Sequence, residues 1–211
     1  MLSDNEARAA QWRRLLGQYL APRLGGTPED WAAANVGAFE RSWKRYVEHV
    51  EGAGDARGIE GWIRRDRALW LADMCAQVGI AVPPDPSGYA TRAGTWVAER
   101  VQADIPGAIA TVKWLHARGL VLHTASGGLS WELEPYLRGM GILDRFDRLY
   151  GPDLVDTYKN GPHFYSALLT DARVAPETAA VVDDGAHVRA WAASLGIRTF
   201  GALSELRKGL D

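Results

Sequence analysis

Two different periodicities divide the chain. Over residues 1 to about 104, apolar positions recur every three or four residues, the spacing of one helix face after another. Ser3 and Glu6 have capping-box spacing and predict a first helix running to about Tyr19. Thr27 followed by Pro28, Glu29 and Asp30 is a second start signal: a cap, a proline at the first helical position, then acids at the positive dipole end. The helix it opens aligns Phe39, Trp43, Tyr46, Val47 and Val50 on one face, which predicts a buried stripe. A third helix carries Trp70, Leu71, Met74, Cys75 and Val78 and stops at Gly79. The proline-rich run from Val82 to Gly88 predicts a linker or wide turn, and a fourth helix is expected from Thr91 to about Ala103.

From residue 105 helices alternate with short apolar runs. Ile105, Ile109, Val112 and Leu115 form a helical stripe ending at Gly119, and Leu120 to His123 reads as a strand. A helix through Leu129, Leu133, Leu137 and Met140 comes next, then a strand near Phe146 to Tyr150 and a helix from Pro162 to Leu169. Ala179 to Val182 is the next strand, Val188 to Leu195 the next helix, and Ile197 to Phe200 the last strand, before a short helix. This alternation predicts an α/β fold: a Rossmann-like parallel sheet covered on both faces, over residues 105–211, with a helical lobe over residues 1–104. The first helix can pack at the junction of the two. In such sheets chemistry sits just beyond the carboxyl ends of the strands.

Three groups of residues stand there. Thr124-Ala125-Ser126-Gly127-Gly128 offers a hydroxyl and backbone N–H groups to an anion, or is an ordinary glycine turn with a cap. Lys159 lies just before a helix, where the dipole disfavours a cation unless an anion is near; alone it also reads as a solvated lysine. Asp183 and Asp184 repel each other unless a cation or hydrogen-bond donors neutralise them, and magnesium prefers such oxygen ligands; a helix-capping pair is the plainer reading.

Composition narrows the partners. Of 211 residues 47% are hydrophobic, sufficient for one core with an accessory lobe. A formal net charge of -2 gives no basic excess, so a nucleic-acid partner is not expected. The single cysteine, Cys75, excludes an internal disulfide framework and fits a reducing, cytoplasmic setting. No apolar run has the length of a membrane span, and the first ten residues lack the pattern of a signal peptide.

Threonine, lysine and paired aspartates, in that order at successive strand ends, resemble the second, third and fourth motifs of the haloacid dehalogenase superfamily. Leu120 to Ser126 resembles the hydroxyl motif, Lys159-Asn160-Gly161-Pro162 the lysine motif, and Val181 to Asp184 the acidic motif; Gly196 also stands where the family places a glycine. The helical first half is similar to the family's cap. The resemblance implies a Mg2+-dependent phosphatase of a small phosphorylated molecule. Thr124 and Lys159 would be catalytic, Ser126 and Gly127 would bind phosphate, and Asp184 with Asp183 would hold the metal. Trp43, Tyr46, His49, Arg57, Arg64, Arg65 and Arg67 are candidates for contact with the leaving group, with packing or solvation as the alternative for each.

Two departures stand out. Where the family has a further Asp or Asn four residues after the metal-binding aspartate, this chain has Val188, which falls in the apolar stripe of its helix. The family's first motif, a buried strand ending in Asp-x-Asp with the nucleophile, has no counterpart here. Met1 to Glu6 resembles the segment just after that motif, so a strand and catalytic turn of about ten to fifteen residues is expected ahead of Met1. The first central strand would then be missing from this chain, no nucleophile would be present, and its two flanking strands would either leave a cleft or close up. Two other readings remain open: a metal-free 2-haloacid dehalogenase, and a non-catalytic binding module of the same fold.

Overall fold

The computed structural model describes residues 2–209. Its first half is four helices: α1 (Asn5–Leu24), α2 (Pro28–Gly52), α3 (Ile59–Val78) and α4 (Pro86–Ala98). They share one core, in which Leu16, Leu20, Trp31, Leu71, Met74 and Val97 are fully enclosed. The predicted start at Thr27 is present as a reciprocal box, in which Thr27 caps the Asp30 amide and the Asp30 carboxylate receives the Thr27 N–H. The predicted stop at Gly79 is present too, with its left-handed φ of 76°.

Three local expectations differ. The cap of α1 is Asp4, which accepts from the Ala7 amide, because Ser3 is drawn into an antiparallel bridge with Asp104. The proline run becomes helical at Pro86, since proline suits a first helical turn and Asp85 caps it through the Gly88 amide. In α2 the buried face is Trp31, Ala34 and Ala38, while Phe39 and Trp43 are 60% and 56% exposed. Small side chains let α1 and α2 approach closely: a Cβ on Gly17 would lie 2.1 Å from the Pro28 carbonyl oxygen. The aromatic stripe one step around the helix is left outside that contact.

The second half alternates as predicted: α5 (Ala108–Ala117), β1 (His123–Ala125), α6 (Ser130–Gly139), β2 (Arg148–Tyr150), α7 (Pro152–Val155), α8 (Pro162–Ala172), β3 (Ala180–Val182), α9 (Ala186–Ala193), β4 (Arg198–Phe200) and α10 (Leu203–Lys208). The fold is thus helix-rich α/β with short parallel strands. The strands form two separate parallel pairs among the described residues, β1 with β2 and β3 with β4, rather than one sheet. β1 begins at His123, after the predicted apolar run; Leu120 and Val121 are 40% and 70% exposed. Apolar clusters lie on both sides of the strands. Phe164, Tyr165, Val188, Ala192 and Ile197 form one, and Val112, Leu137 and Ile142 the other, the latter packed against Leu122 and Leu149. Val188, four residues after Asp184, is buried in the first.

The helical lobe meets this layer along α4 and α6. A Cβ on Gly139 would lie 2.4 Å from the Glu99 carbonyl oxygen, so glycine permits the contact. Trp12 of α1 donates to the Tyr136 hydroxyl of α6. No described helix is long and apolar enough to cross a membrane.

Candidate active site

The strand ends meet at Lys159. Its ammonium donates to the Ala125 carbonyl, at the end of β1, at 2.7 Å and to Asp183 Oδ2, just past β3, at 2.8 Å. The two side chains are 14% and 16% exposed. The second Asp183 oxygen accepts from the Gly185 amide at 2.9 Å. Burial pushes the Asp183 carboxyl up, but the hydrogen bond and charge of Lys159, with the Gly185 N–H, outweigh it and hold the group below the usual carboxylate range. Lys159 therefore joins the two strand pairs through an ion pair, where a continuous sheet would use backbone hydrogen bonds.

Asp184 is placed differently. It is exposed, and its carboxylate has no partner among the described residues. Its carbonyl, with that of Asp183, receives Arg189 Nη1 from α9, so the acidic turn is clamped from behind. Thr124 Oγ1 donates to the Tyr150 carbonyl at 3.2 Å, which turns this hydroxyl towards β2 and away from Lys159. In the loop after β1, the Ser126 hydroxyl accepts from the Gly128 N–H at 3.0 Å, and the Leu129 and Ser130 amides go to Glu132 and Asp153. The Gly127 amide remains without a partner among the described residues, so one N–H of this loop is free for an anion. The loop lies tight on the end of β2: a Cβ on Gly151 would sit 2.3 Å from the Gly128 carbonyl oxygen.

Lys159, Asp183 and the end of β1 thus come together directly. The Thr124 hydroxyl and the Asp184 carboxylate flank them without touching the lysine. Two further residues of the site carry no signal in the sequence. Arg189 is one. Tyr165, six positions after Lys159, reads as an apolar helix position. It is 1% exposed, its ring lies 5.9 Å from the Lys159 ammonium, and its hydroxyl is buried without a hydrogen-bond partner. Burial and the Asp183 charge push that hydroxyl well above the usual tyrosine range.

The helical lobe reaches the same loop. The Tyr46 hydroxyl donates to the Gly127 carbonyl at 3.4 Å, and Trp43 leans on Tyr46 with ring centres 5.6 Å apart. Burial, then the neighbouring Tyr158 and Glu132, push Tyr46 up to about 12, so it stays a neutral donor. His49 stacks on Trp62 at 4.6 Å and shares a 2.9 Å hydrogen bond with the Tyr158 hydroxyl. Burial and the charge of Arg65 lower the His49 pKa, so the ring is neutral near pH 7. Arg67 pairs with Glu132 at 2.5 Å and lies over Trp131, while Arg57 pairs with Asp55. Arg64 and Arg65 are exposed. Tyr46 therefore hydrogen-bonds the loop after β1, Ala56 and Ile59 pack with its Leu129, and Arg67 is occupied in bracing α6.

The family model of haloacid dehalogenase-like hydrolases matches residues 9–195. The chain belongs to that family. A search of curated proteins found no match to this hydrolase. Among solved structures it is similar to the putative HAD-hydrolase YfnB from Bacillus subtilis bound to magnesium, with a TM-score of 0.64 at 14% identity, covering 100% of this chain and 94% of that one. It is similar also to the L-2-haloacid dehalogenase PA0810, with a TM-score of 0.63 at 19% identity, covering 94% of this chain and 78% of that one. A third is a HAD phosphatase from Thermococcus onnurineus, with a TM-score of 0.53 at 19% identity, covering 100% of this chain and 93% of that one. At these identities the likeness is one of fold. The hydrolase shares its lobe-and-sheet architecture with dehalogenases and phosphatases alike.

Proposed function

We propose that the residues around Lys159 form the half of a small-phosphomonoester hydrolase site that holds the phosphate and Mg2+, with the nucleophile supplied from outside this set. The observation that carries the reading is the Asp183–Asp184 pair. One carboxylate is fully engaged by Lys159 and Gly185, and the next is exposed and unpartnered at the same strand end. Magnesium keeps several waters and takes one or two protein carboxylates together with substrate phosphate. A lone Asp184 carboxylate with phosphate beside it fits that requirement. When bound, the metal would neutralise phosphate charge.

The chain's own groups supply the rest. The Gly127 amide and the Ser126 hydroxyl proton can donate to phosphoryl oxygens, and a small rotation frees the Thr124 hydroxyl to do the same. Lys159, kept charged by Asp183, offsets the negative charge of the group transferred. Tyr46 holds the loop carbonyl from the lobe side and helps exclude water. No carboxylate other than Asp183 and Asp184 contacts these groups among the described residues, so an aspartate nucleophile is not part of this set.

A second reading has its own support. L-2-haloacid dehalogenases recur among the similar structures, and Asp183, paired to a lysine, is a structural carboxylate rather than a metal ligand. Calorimetric titration separates the two. Inorganic phosphate is expected to bind the protein more tightly with Mg2+ present, and Asp184→Asn is expected to remove that gain. Binding of 2-chloropropionate that is indifferent to Mg2+, with no phosphate binding, would overturn the phosphatase reading.

A further inference from the structure

One face of α2 is apolar and unused. Its inward side is filled by Trp31, Ala34 and Ala38, and its charged flank is spent on α3, where Arg41 and Arg45 pair with Asp73 and Asp66. Phe39, Trp43 and Tyr46 follow one another at helical intervals, so they stand on a single stripe. Phe39 and Trp43 are both more than half exposed, and neither belongs to an apolar cluster of the described residues. A contiguous exposed apolar strip marks a binding surface, whereas a lone exposed apolar residue needs no explanation.

The stripe begins at the site. The Tyr46 hydroxyl reaches the Gly127 carbonyl, in the loop whose Gly127 amide is free for an anion. Trp43 lies one turn back along α2, tilted 31° against Tyr46 with ring centres 5.6 Å apart, and its other face is open. Phe39 is a turn beyond that, about 10 Å from Tyr46 along the helix axis. The foot of the stripe is fixed. Trp62 packs on Tyr46 at 5.9 Å, His49 stacks on Trp62, and His49 is tied to Tyr158, the neighbour of Lys159. The aromatic wall therefore stands ready-formed, which spares a ligand the cost of ordering it.

We propose that this wall is a leaving-group subsite and that the group it takes is a flat aromatic ring, so that the substrate is an aryl phosphate or a phosphomonoester whose alcohol carries an aromatic ring close to the phosphorus. The inference rests on the phosphate site proposed above and names the class of molecule that site serves. With phosphate at the Gly127 N–H, the alcohol passes Tyr46 and its ring stacks on the open face of Trp43, with Phe39 at the far edge. Phe39 offers no hydrogen-bond partner, and the Tyr46 hydroxyl is already committed to Gly127. The hydroxyls of a sugar or glycerol would lose water on this wall without replacement.

Calorimetric titration of the intact chain with Mg2+ compares naphthyl phosphate, glycerol phosphate and inorganic phosphate. Inorganic phosphate has no leaving group and is the reference within each variant. Naphthyl phosphate is expected to bind about tenfold more tightly than inorganic phosphate, the worth of one or two ring contacts, and glycerol phosphate no more tightly. Trp43→Ala is expected to bring the naphthyl-to-inorganic ratio down to about threefold or less, and Trp43→Phe to keep most of it. Equal affinities of the wild type for naphthyl and inorganic phosphate, or a ratio that survives Trp43→Ala combined with Phe39→Ala, would overturn the subsite. So would a dimer in sedimentation that the double variant dissociates while the ratio stays unmoved, since the stripe would then cover a second copy of the chain. If inorganic phosphate does not bind at all, the phosphate reading fails and naphthol becomes the probe. Naphthol binding that Trp43→Ala weakens keeps the aromatic subsite, and no naphthol binding removes it as well.

Discussion

Replacing Asp183 by asparagine removes a charge from the one contact that ties the two strand pairs at their carboxyl ends. The pair is 2.8 Å long and about one-seventh exposed on each side. Removing one partner of a buried ion pair costs about 3–5 kcal/mol. Asparagine still offers an oxygen to Lys159, and the Ala125 carbonyl keeps its bond, so we expect a cost below that range, about 2–3 kcal/mol. With a urea slope of about 2 kcal/mol/M, the unfolding midpoint at pH 7 falls by roughly 1 M. The pH dependence follows from the depressed pKa of Asp183. A carboxyl held below its unfolded value of about 3.9 contributes stability that is fully present above that value and lost as pH falls through the folded one. The gap between wild type and variant is therefore constant from pH 7 to about pH 5 and closes below about pH 4. Lys159→Met on top of Asp183→Asn should cost less than the two single changes added. Equal midpoints at pH 7, or a gap that widens in acid, would refute the reasoning.

Trp31→Ala, at a fully enclosed position, is expected to cost about 3–5 kcal/mol, whereas Trp43→Ala, on the exposed stripe, should stay within about 0.5 kcal/mol; chemical denaturation compares them. Gly151→Ala would push a methyl into the Gly128 carbonyl, and is expected to weaken phosphate binding more than it lowers the melting temperature. The 211-residue chain is expected to show no Mg2+-dependent turnover of an aryl phosphate above background, and measurable turnover by the pure chain would require a nucleophile outside the set around Lys159.

The alternation of helices and strands is legible in the sequence because apolar runs and glycine stops are local. So is the Thr27 start, whose two partners lie three residues apart. Ser3 looks like a cap from its spacing alone, because its bridge to Asp104 is a tertiary contact, invisible from either segment. The stripe through Phe39 and Trp43 misleads for a related reason: alanines and a glycine, weak in any hydrophobic pattern, choose which face of α2 can approach α1. At the site, strand-end placement points to Lys159 and Asp183. It does not reveal that they hold each other, nor that the Thr124 hydroxyl is directed to Tyr150. Tyr165 escapes notice because a tyrosine amid apolar neighbours on a helix looks like core, and only its unpartnered hydroxyl sets it apart.

The bridge between Ser3 and Asp104 has a consequence for how replaceable the lobe is. The Asp4 N–H goes to the Ala103 carbonyl and the Ile105 N–H to the Leu2 carbonyl, so the chain leaves and returns at hydrogen-bonding distance. Seen from the strands, everything from α1 to α4 is equivalent to one tight turn. An insert of any size whose ends meet at that spacing could stand in its place without altering the register of a single strand. The Gly139–Glu99 approach, the Trp12–Tyr136 bond, the Arg67–Glu132 pair and the contacts of Tyr46 with Gly127 and His49 with Tyr158 are then what tailor this particular lobe to this particular layer. A graft that kept the bridge but lost those contacts would give a correctly threaded protein with a lobe free to swing.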